Sequence, residues 1–382
     1  MDFNFSEEHN LIRQTVREFA ENEIRPIAKD LDENESFSYN LTERMGELGL
    51  FGMTLPEKFG GQNLDTLSYI IAVEEIARID GSHAATLAAH NSLGIGPIYY
   101  YGNEEQKEKF LPKLCTGKAL WSFGLTEPDA GSDSRGTKTK AKLEHGKWII
   151  NGSKIFITNG STQISIGSTV QAITDENSDG SKEYSTIIVE NGTEGFTAKP
   201  MHGKMMWRAS NTSELYFDNC IVPETNILGE RGQGSKIMLS TLDNGRLSIA
   251  AMGLGCAQGA YELALNYSKE RKQFGRPISK FQAVSFKLAD MATKIELARN
   301  LLYKACWEKD NGKPFAMHAA MAKLYCSEIA KEVADEAVQI HGGYGLMKEY
   351  EIERFYRDQR LLQIGEGTSE IQRLVISRYI GC

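Results

Sequence analysis

The amino-acid sequence predicts an α+β protein of several domains, in which helices surround a β-rich middle. Three observations support this class: the apolar pattern is helical up to about Cys115, it changes to that of strands between about Ala119 and Leu228, and long helical patterns then return. A chain of 382 residues exceeds one simple core of roughly 100–200 residues, so two or three packed units are expected. We place them at residues 1–117, 118–228 and 229–382.

The N-terminal unit carries the start signals of several helices. Ser6 precedes two glutamates, as an N-cap does, and apolar residues then recur with helical spacing at Ile12, Val16, Phe19 and Ala20. Asp65 is a candidate cap for a helix that runs through Ile76, and Asn103 with Gln106 is typical of a capping box. These signals predict an all-α N-terminal domain.

The middle unit is predicted to be a small β domain. Asn151-Gly152 lies between two runs of β-branched and aromatic residues, which predicts a hairpin with a type I′ turn. Further strands are expected at residues 168–173, 184–190 and 213–217, separated by Gly, Asn and Asp clusters. The unit spans about 110 residues, a usual size for one domain.

After residues 229–234 the pattern predicts long helices that pack as a bundle. Small residues inside the first of these helices would allow close contact with a neighbouring helix: Gly253, Gly255, Gly259 and Ala260. A long apolar face is predicted on the next helix, with Phe286, Leu288, Met291, Ile295 and Leu297. The segment from Gly253 to Gly259 is a near miss to a dinucleotide-binding GxGxxG motif, but no strand precedes it and its third glycine is one residue late.

Composition excludes several other classes. The 43 Lys and Arg against 51 Asp and Glu give a net charge of −8, which argues against nucleic-acid binding. The six cysteines and seven histidines show no ligand spacing, so we expect no metal. No apolar run approaches the roughly 18 residues of a membrane span, and the start at Met1 shows no leader pattern. We expect a cytoplasmic protein, although the processed form of a mitochondrial matrix enzyme would look the same.

Glu366 is the leading candidate for a catalytic residue. It stands between Gly365 and Gly367, which leave the backbone free to bend and put no bulky side chain beside the carboxylate. The alternative is an ordinary solvated glutamate near a helix end, because charged residues are mostly exposed. Three other segments favour the functional interpretation.

These three segments have the character of ligand-binding loops. Residues 123–132 combine the hydroxyls of Thr126 and Ser132 with Gly131, which lets backbone N–H groups approach a ligand. Residues 156–158 end a strand with an aromatic face and a hydroxyl, and residues 339–343 place two glycines after a helical run. His90 and His341 are expected to serve packing or hydrogen bonding.

Together with Glu366, these segments resemble the acyl-CoA dehydrogenase family over essentially the whole chain, and most of all its short-chain, butyryl-type members. The resemblance implies an N-terminal all-α domain, a central β-barrel domain and a C-terminal four-helix bundle, assembled as a homotetramer with one FAD per subunit. The residues that it implies for FAD binding are Phe123, Leu125, Thr126, Gly131, Ser132, Phe156, Ile157, Thr158, Arg271, Phe274, Gln282, Gln339, Ile340, His341, Gly342, Gly343, Thr368, Ser369 and Glu370.

Two details of this assignment come from the same resemblance. Arg271, Phe274 and Gln282 would reach the FAD of a neighbouring subunit, and Phe156 stands where many relatives have Trp. Substrate contacts are implied for Ser132, Asp243, Arg246, Glu366 and Gly367.

The resemblance implies that Glu366 is the catalytic base. One variant of the family carries its base on the residue before the arginine that corresponds to Arg246, but here that residue is Gly245. The sequence departs from short- and medium-chain relatives at Gly365, where they often carry Tyr, so the pocket near the α carbon is expected to be wider.

The implied reaction is α,β-dehydrogenation of an acyl-CoA thioester to the trans-2-enoyl-CoA. Glu366 would remove the α proton while a hydride leaves the β carbon for flavin N5, and electron-transfer flavoprotein would accept the electrons. An acyl-CoA oxidase that uses O₂ is the alternative, and a non-catalytic acyl-CoA-binding or assembly protein of the same fold is a second. A dicarboxylyl substrate is disfavoured because no Arg or Lys lies between Gly81 and Gly94.

Overall fold

The structure, a computed structural model, describes residues 5–382, so the start at Met1 lies outside the described residues. Seven helices form the N-terminal part: α1 (Glu7–Phe19), α2 (Arg25–Glu33), α3 (Tyr39–Glu47), α4 (Thr66–Ala77), α5 (Gly81–Ala89), α6 (Gly96–Tyr101) and α7 (Glu104–Leu114). Two π-helical turns, Ala20–Ile24 and His90–Ile95, continue α1 and α5 into the helices that follow them. The predicted all-α character of this segment is confirmed.

The predicted helix caps are also confirmed. Ser6 Oγ accepts a hydrogen bond from the His9 N–H at 3.1 Å, and Asp65 accepts one from the Ser68 N–H at 2.7 Å. Asn103 and Gln106 bond to each other's backbone N–H as a capping box. Each cap satisfies donors that the first turn of a helix leaves unpaired.

The middle segment forms one eight-stranded sheet. Its strands are β1 (Leu120–Gly124), β2 (Lys140–Glu144), β3 (Lys147–Thr158), β4 (Ser165–Glu176), β5 (Lys182–Glu190), β6 (Phe196–Pro200), β7 (Thr212–Pro223) and β8 (Ile227–Leu228). The hydrogen-bonded order is β6-β7-β3-β2-β4-β5-β8, and β1 pairs in parallel with β4. The three strands predicted after residue 160 are all present, and each is longer than predicted.

The hairpin predicted at Asn151-Gly152 is wrong. Strand β3 runs straight through both residues, and the chain reverses instead at His145 and Gly146, both with positive φ, between β2 and β3. Gly152 marks an irregularity in the register of β3 against β7, and a Cβ there would approach Thr139. The glycine therefore serves a bulge rather than a turn, a second use of Gly in strands that the local sequence does not distinguish.

The C-terminal part is helical. Its helices are α8 (Gly234–Glu270), α9 (Gln282–Asp310), α10 (Ala316–His341), α11 (Ile352–Asp358) and α12 (Ser369–Tyr379), with a short ribbon of β9 (Lys272–Gln273) and β10 (Arg276–Pro277) between α8 and α9. The small residues of α8 serve close packing as predicted. A Cβ at Gly253 would meet the Cys326 carbonyl of α10 at 2.8 Å, and one at Gly259 would overlap the Arg78 carbonyl.

The predicted apolar face of α9 is only partly correct. Leu288, Met291 and Ile295 are buried, whereas Phe286 and Leu297 are 62% and 57% exposed in the single chain. The segment from Gly253 to Gly259 lies inside α8, as expected for a helix rather than a dinucleotide loop.

One hydrophobic core joins the helices at both ends of the chain, because α8 packs against both α4 and α10. The central sheet has a core of its own, with Trp148, Ile150 and Leu215 fully or nearly fully buried. No helix in the part of the chain that the structure describes is long and apolar enough to cross a membrane. The arrangement brings α8, α10 and the segment before α12 together around Glu366.

Candidate active site

Glu366 lies on a strained bend at the start of α12. Its φ is +52°, and Gly367 follows with φ +93°, so two consecutive residues are in the left-handed region. A glutamate seldom adopts this conformation, which costs of order 1–3 kcal/mol and persists only where the surroundings hold it. Thr368 then caps α12 by accepting from the Ile371 N–H.

Two buried side chains hold this bend. Lys323 Nζ on α10 donates to the Gly367 carbonyl at 2.7 Å, and Gln372 Nε2 on α12 donates to the same oxygen at 2.9 Å. Gln372 also reaches the Glu366 carbonyl at 3.2 Å. Both side chains are completely buried. The orientation of Glu366 is therefore fixed by charged and neutral donors on two different helices.

The bend aims the Glu366 carboxylate at Gly245 of α8. A Cβ added at Gly245 would overlap Glu366 Oε2, lie 2.8 Å from its Cδ and lie 3.2 Å from Leu93 Cδ2. The absence of a side chain at Gly245 is what makes room for the carboxylate. Oε2 is buried and has no hydrogen-bond partner among residues 5–382. A buried oxygen without a partner is costly and marks a functional-site candidate.

Burial raises the pKa of Glu366 from its ordinary value to about 7, although the positive charges of Lys323 and Arg246 lower that pKa. Near neutral pH the carboxyl is therefore present in both protonation states, as general acid–base catalysis requires. Arg246 is itself buried and pairs with Asp243 one turn away. Glu366, Asp243 and Arg246 thus lie together.

Tyr69 of α4 is another neighbour of the Glu366 carboxylate. Its hydroxyl lies 2.9 Å from Ser248 Oγ on α8 and donates to the Ala88 carbonyl at 3.2 Å. Burial raises the pKa of the Tyr69 phenol, and the charge of Glu366 adds to that rise. Tyr69 also lines a cleft between α4, the turn after α5, and α8, with Asn91, Tyr99 and Lys309 on its walls.

Phe156 has the geometry of an aromatic side chain presented to a ligand. It lies in an irregular part of β3 with φ +62°, and 63% of it is exposed, whereas its neighbour Ile157 is buried. A bulky residue with positive φ is an outlier, and a bulge re-aims a side chain away from the sheet. Thr158 ends the same strand and is partly exposed.

The segment 123–132 divides into a buried and an exposed half. Phe123 and Leu125 pack with Met238 of α8 in a small core. Thr126 is partly exposed, and its carbonyl accepts from the Ile155 N–H, which places the segment beside β3. Gly131 and Ser132 are exposed, and a Cβ at Gly131 would meet nothing within 4 Å in the described chain.

A buried ion pair joins this segment to the irregular part of β3. Lys154 Nζ lies 2.7 Å from Glu127 Oε1 and also donates to the Leu125 carbonyl at 3.2 Å. Glu127 in turn accepts from the N–H groups of Lys138 and Thr139. Burial lowers the pKa of Lys154 to about 8, against the raising effect of Glu127. The pair sets the position of Phe156 relative to the loop opposite it.

Replacing Lys154 by Met is expected to destabilise the protein by about 3–5 kcal/mol, because it leaves the Glu127 carboxylate buried without its cation. The measurement is the free energy of unfolding from denaturant titration followed by circular dichroism. The matched control is Lys138→Met, since Lys138 pairs with Asp129 on the surface. The control should unfold at the wild-type midpoint; equal effects of the two substitutions would contradict the structural role of the buried pair.

The remaining predicted cofactor residues lie elsewhere. Arg271, Phe274, Gln282, Gln339, Gly342 and Gly343 are all exposed, and Phe274 is 93% exposed with φ +50°. Arg271 lies over the Tyr344 ring, just beyond the two glycines. Lys323, beside Glu366, and Gln339 are sixteen residues apart on α10, about 24 Å along its axis.

His341 is held in place by its neighbours. Its ring stacks on Tyr267 with centroids 4.4 Å apart, and Nδ1 lies 2.8 Å from the Ala337 carbonyl. Burial lowers the pKa of His341. Ile340 is buried beside it, while the backbone of Gly342 and Gly343 has open space around it. His90 is likewise a buried packing residue, bonded to the Leu114 carbonyl.

The residues present fit a flavin. An exposed aromatic residue on a strained bulge suits a planar ring, and hydroxyls with open glycine backbone suit the polar tail of a dinucleotide. Thr368 and Glu370 at the start of α12 offer further polar contacts, and Ser369 Oγ is buried without a partner in the described chain. No group of three or more potential metal-ligating residues occurs within residues 5–382.

Sequence reasoning missed Lys323, Gln372, Tyr69 and Lys154. The spacing of Lys323 in the sequence could have indicated its burial. It lies on the buried face of α10, with Ala319 four residues before it and Cys326 three residues after it. A lysine at such a position is unusual unless a partner is present. Its partner is a backbone carbonyl far along the chain, which no local pattern reveals.

Comparison with known proteins agrees with this geometry. Three family descriptions match the chain: acyl-CoA dehydrogenase, N-terminal domain, over residues 6–118; middle domain, over residues 122–220; and C-terminal domain, over residues 232–381. The short-chain specific acyl-CoA dehydrogenase of Clostridium acetobutylicum is 47% identical over 377 residues, which cover 99% of each chain.

Solved structures are also similar to this chain over nearly its whole length. A structure described as the electron transferring flavoprotein of Acidaminococcus fermentans, in a study of flavin-based electron bifurcation, matches with a TM-score of 0.97 and 47% identity over all of both chains. An acyl-CoA dehydrogenase from Bacillus anthracis, complexed with FAD, matches with a TM-score of 0.91 and 37% identity, covering 99% of this chain and 67% of that one.

The chain belongs to the acyl-CoA dehydrogenase family. Within it, the protein is an acyl-CoA dehydrogenase, an oxidoreductase with FAD as its cofactor, and it is similar to short-chain specific members. The predictions of family, fold class, enzyme class and cofactor are confirmed. The roles of single residues and the three domain boundaries stay predictions.

Proposed function

We propose that this enzyme converts a short-chain acyl-CoA to the trans-2-enoyl-CoA, with Glu366 as the base that removes the α proton. The observation that carries the proposal is the buried Glu366 carboxylate, whose Oε2 has no partner in the described chain and faces the bare backbone of Gly245. Its pKa of about 7 suits a proton acceptor at neutral pH. No carboxylate competes at position 245.

The other groups around Glu366 prepare the substrate for loss of its proton. The thioester carbonyl must be polarised as negative charge develops on it, and we assign this to the backbone N–H of Glu366. Arg246 and Lys323 add positive charge nearby, which stabilises the carboxylate before it accepts the proton. When bound, FAD supplies the acceptor for the hydride that leaves the β carbon.

Several residues would hold the flavin and the substrate. We assign the ring face to Phe156 and Thr158, and polar contacts to Thr126, Ser132 and the backbone at Gly131. We assign the CoA side to Asp243 and Arg246. Gln339 lies about 24 Å from Lys323 along α10, and Arg271 lies over the Tyr344 ring beside that end of the helix. This second group of residues, far from Glu366, supports a homotetramer in which neighbouring subunits complete each FAD site.

A short acyl chain is supported by the packing around the carboxylate. Leu93 lies against Gly245, and Tyr69, which lines the neighbouring cleft, is close enough to Glu366 for the charge of the carboxylate to act on its phenol. Gly365 widens the pocket near the α carbon, since a Cβ there would have only ordinary contacts with Leu361 at 3.6 Å. The absence of a side chain at Gly365 leaves a short acyl group with a branch at the α carbon as a candidate beside a straight one.

Electron-transfer flavoprotein is the acceptor that we propose. The support is the full-length similarity to a chain from the Acidaminococcus fermentans electron transferring flavoprotein study. An oxidase would pass the electrons to O₂ instead, and a non-catalytic relative would not accept them at all.

Anaerobic titration of the purified yellow protein with straight, branched and cyclic acyl-CoAs tests the proposal. We expect bleaching of the flavin by butyryl-CoA and by α-branched short chains, and little by long acyl chains. Turnover should then need electron-transfer flavoprotein or a dye. Oxygen uptake with peroxide release would identify an oxidase, and a colourless protein that no acyl-CoA reduces would contradict the proposal.

A further inference from the structure

A fully buried lysine lies against the bend that carries Glu366. Lys323 is on the inner face of α10, and its Nζ donates to the Gly367 carbonyl at 2.7 Å. A buried ammonium without a carboxylate bonded to it is rare, because burial strips the ion of its hydration. Lys323 is absent from the ion pairs of the described chain, so a backbone carbonyl is its direct partner.

The Gly367 carbonyl is the group through which two side chains hold the bend at Glu366. Glu366 and Gly367 both have positive φ, and the Gly367 carbonyl accepts hydrogen bonds at the end of this bend. Gln372 donates to the same oxygen at 2.9 Å, so one neutral and one charged donor act on a single atom. If either donor were lost, the left-handed backbone of Glu366 would have one restraint fewer, and the carboxylate could turn from Gly245.

The charge of Lys323 also reaches the carboxylate. The ionisable groups around Glu366 come from four helices: Tyr69 on α4, Asp243 and Arg246 on α8, Lys323 on α10 and Glu370 on α12. Lys323 and Arg246 lower the pKa of Glu366, against the larger effect of burial. Burial lowers the pKa of Lys323 itself to about 8, while Glu366 raises it, so the ammonium is mostly protonated at pH 7.

We propose that Lys323 is a positioning residue for the base: its buried ammonium holds the Gly367 carbonyl, which keeps the Glu366 carboxylate aimed at Gly245, and its charge favours the ionised carboxylate. This inference rests on the proposed role of Glu366. Because Gln372 shares the hydrogen bond but carries no charge, the two contributions of Lys323 can be separated by experiment.

Lys323→Met tests the charge. The free enzyme's kcat/KM for butyryl-CoA should rise with pH as Glu366 ionises, and loss of the cation should move that rise upward by about one pH unit. At pH 7 this corresponds to a loss of up to about tenfold from ionisation alone, and flavin content should stay at the wild-type level. The matched control is Gln372→Met, which should lower kcat but leave the midpoint of the pH profile unchanged.

A second readout does not depend on turnover. Infrared difference spectra across the pH range should show a carboxyl titration that is missing in Glu366→Gln, and in Lys323→Met its midpoint should lie higher than in the wild type. If Lys323→Met does not fold, Lys323→Gln, which is uncharged and polar, serves the same comparison. A folded variant with an unchanged carboxyl midpoint would overturn the inference.

The same design separates this inference from the proposed function. If none of the acyl-CoAs reduces the flavin of the wild-type protein, the proposed function fails. The midpoint of the infrared carboxyl titration still reports whether Lys323 acts on Glu366. If the wild type turns over and the midpoints of Lys323→Met and the wild type coincide, the function stands and the role of Lys323 fails.

Discussion

Glu366→Gln is expected to lower the rate of flavin reduction by acyl-CoA by at least about a hundredfold, the usual scale of general-base catalysis. Gln has the same shape but cannot accept a proton, and the bend at residue 366 depends on backbone contacts from Lys323 and Gln372 rather than on the carboxylate. The variant should therefore fold and retain FAD. Anaerobic stopped-flow absorbance at a saturating butyryl-CoA concentration measures the rate.

The pH dependence provides a check on the same variant. In the wild type, kcat/KM should rise with pH through about 7, because only the ionised Glu366 accepts a proton and burial raises its pKa to that value. In Glu366→Gln the rise should disappear from the residual activity. Near-normal turnover in the variant would show that Glu366 is not the catalytic base.

Gly245→Ala is expected to abolish most activity without unfolding the protein. The new methyl group would overlap Glu366 Oε2, the end of a flexible side chain, so the carboxylate must move away from its working position. Helix α8 itself should gain stability, since Ala is favoured over Gly in a helix interior by roughly 1 kcal/mol. We expect at least about a tenfold loss in kcat, measured by dye-coupled turnover, with an unchanged or higher thermal midpoint.

The control is the same substitution on the same helix at Gly255. There the added methyl group would overlap the Glu74 carbonyl of α4 and lie 2.8 Å from Ala77 Cβ, so backbone rather than a side-chain tip would have to move. Gly255→Ala should lower the thermal midpoint. A Gly245→Ala variant that loses stability but retains its specific activity would show that the contact with Glu366 is irrelevant to catalysis.

Local signals predicted much of the fold because they depend on short-range physics. The caps at Ser6, Asp65 and Asn103 are contacts within one turn, so the sequence contains everything that forms them. The hairpin at Asn151-Gly152 failed because the same dipeptide suits a turn or a bulge, and pairing of β3 with β7 decides between them. His145-Gly146, a weaker turn signal, lies where the strands reverse.

The candidate site also combines features that could be predicted from the sequence with contacts that could not. Glu366 between two glycines was visible in the sequence, and so was the missing competitor at Gly245. That these two residues touch was not, because they are more than a hundred residues apart and meet only when the segment before α12 packs against α8. The Lys323 contact with Gly367 and the Lys154 pair with Glu127 are long-range in the same sense.

The fit between Glu366 and Gly245 also limits how this enzyme can evolve. A side chain at residue 245 and a carboxylate arriving from residue 366 compete for the same volume, so a single substitution that introduces Glu at 245 would crowd two acids together. The base can move from residue 366 to residue 245 only if the acid at 366 is also removed, since the two side chains cannot share that volume. Closely related sequences should therefore carry one arrangement or the other, and no mixture of the two.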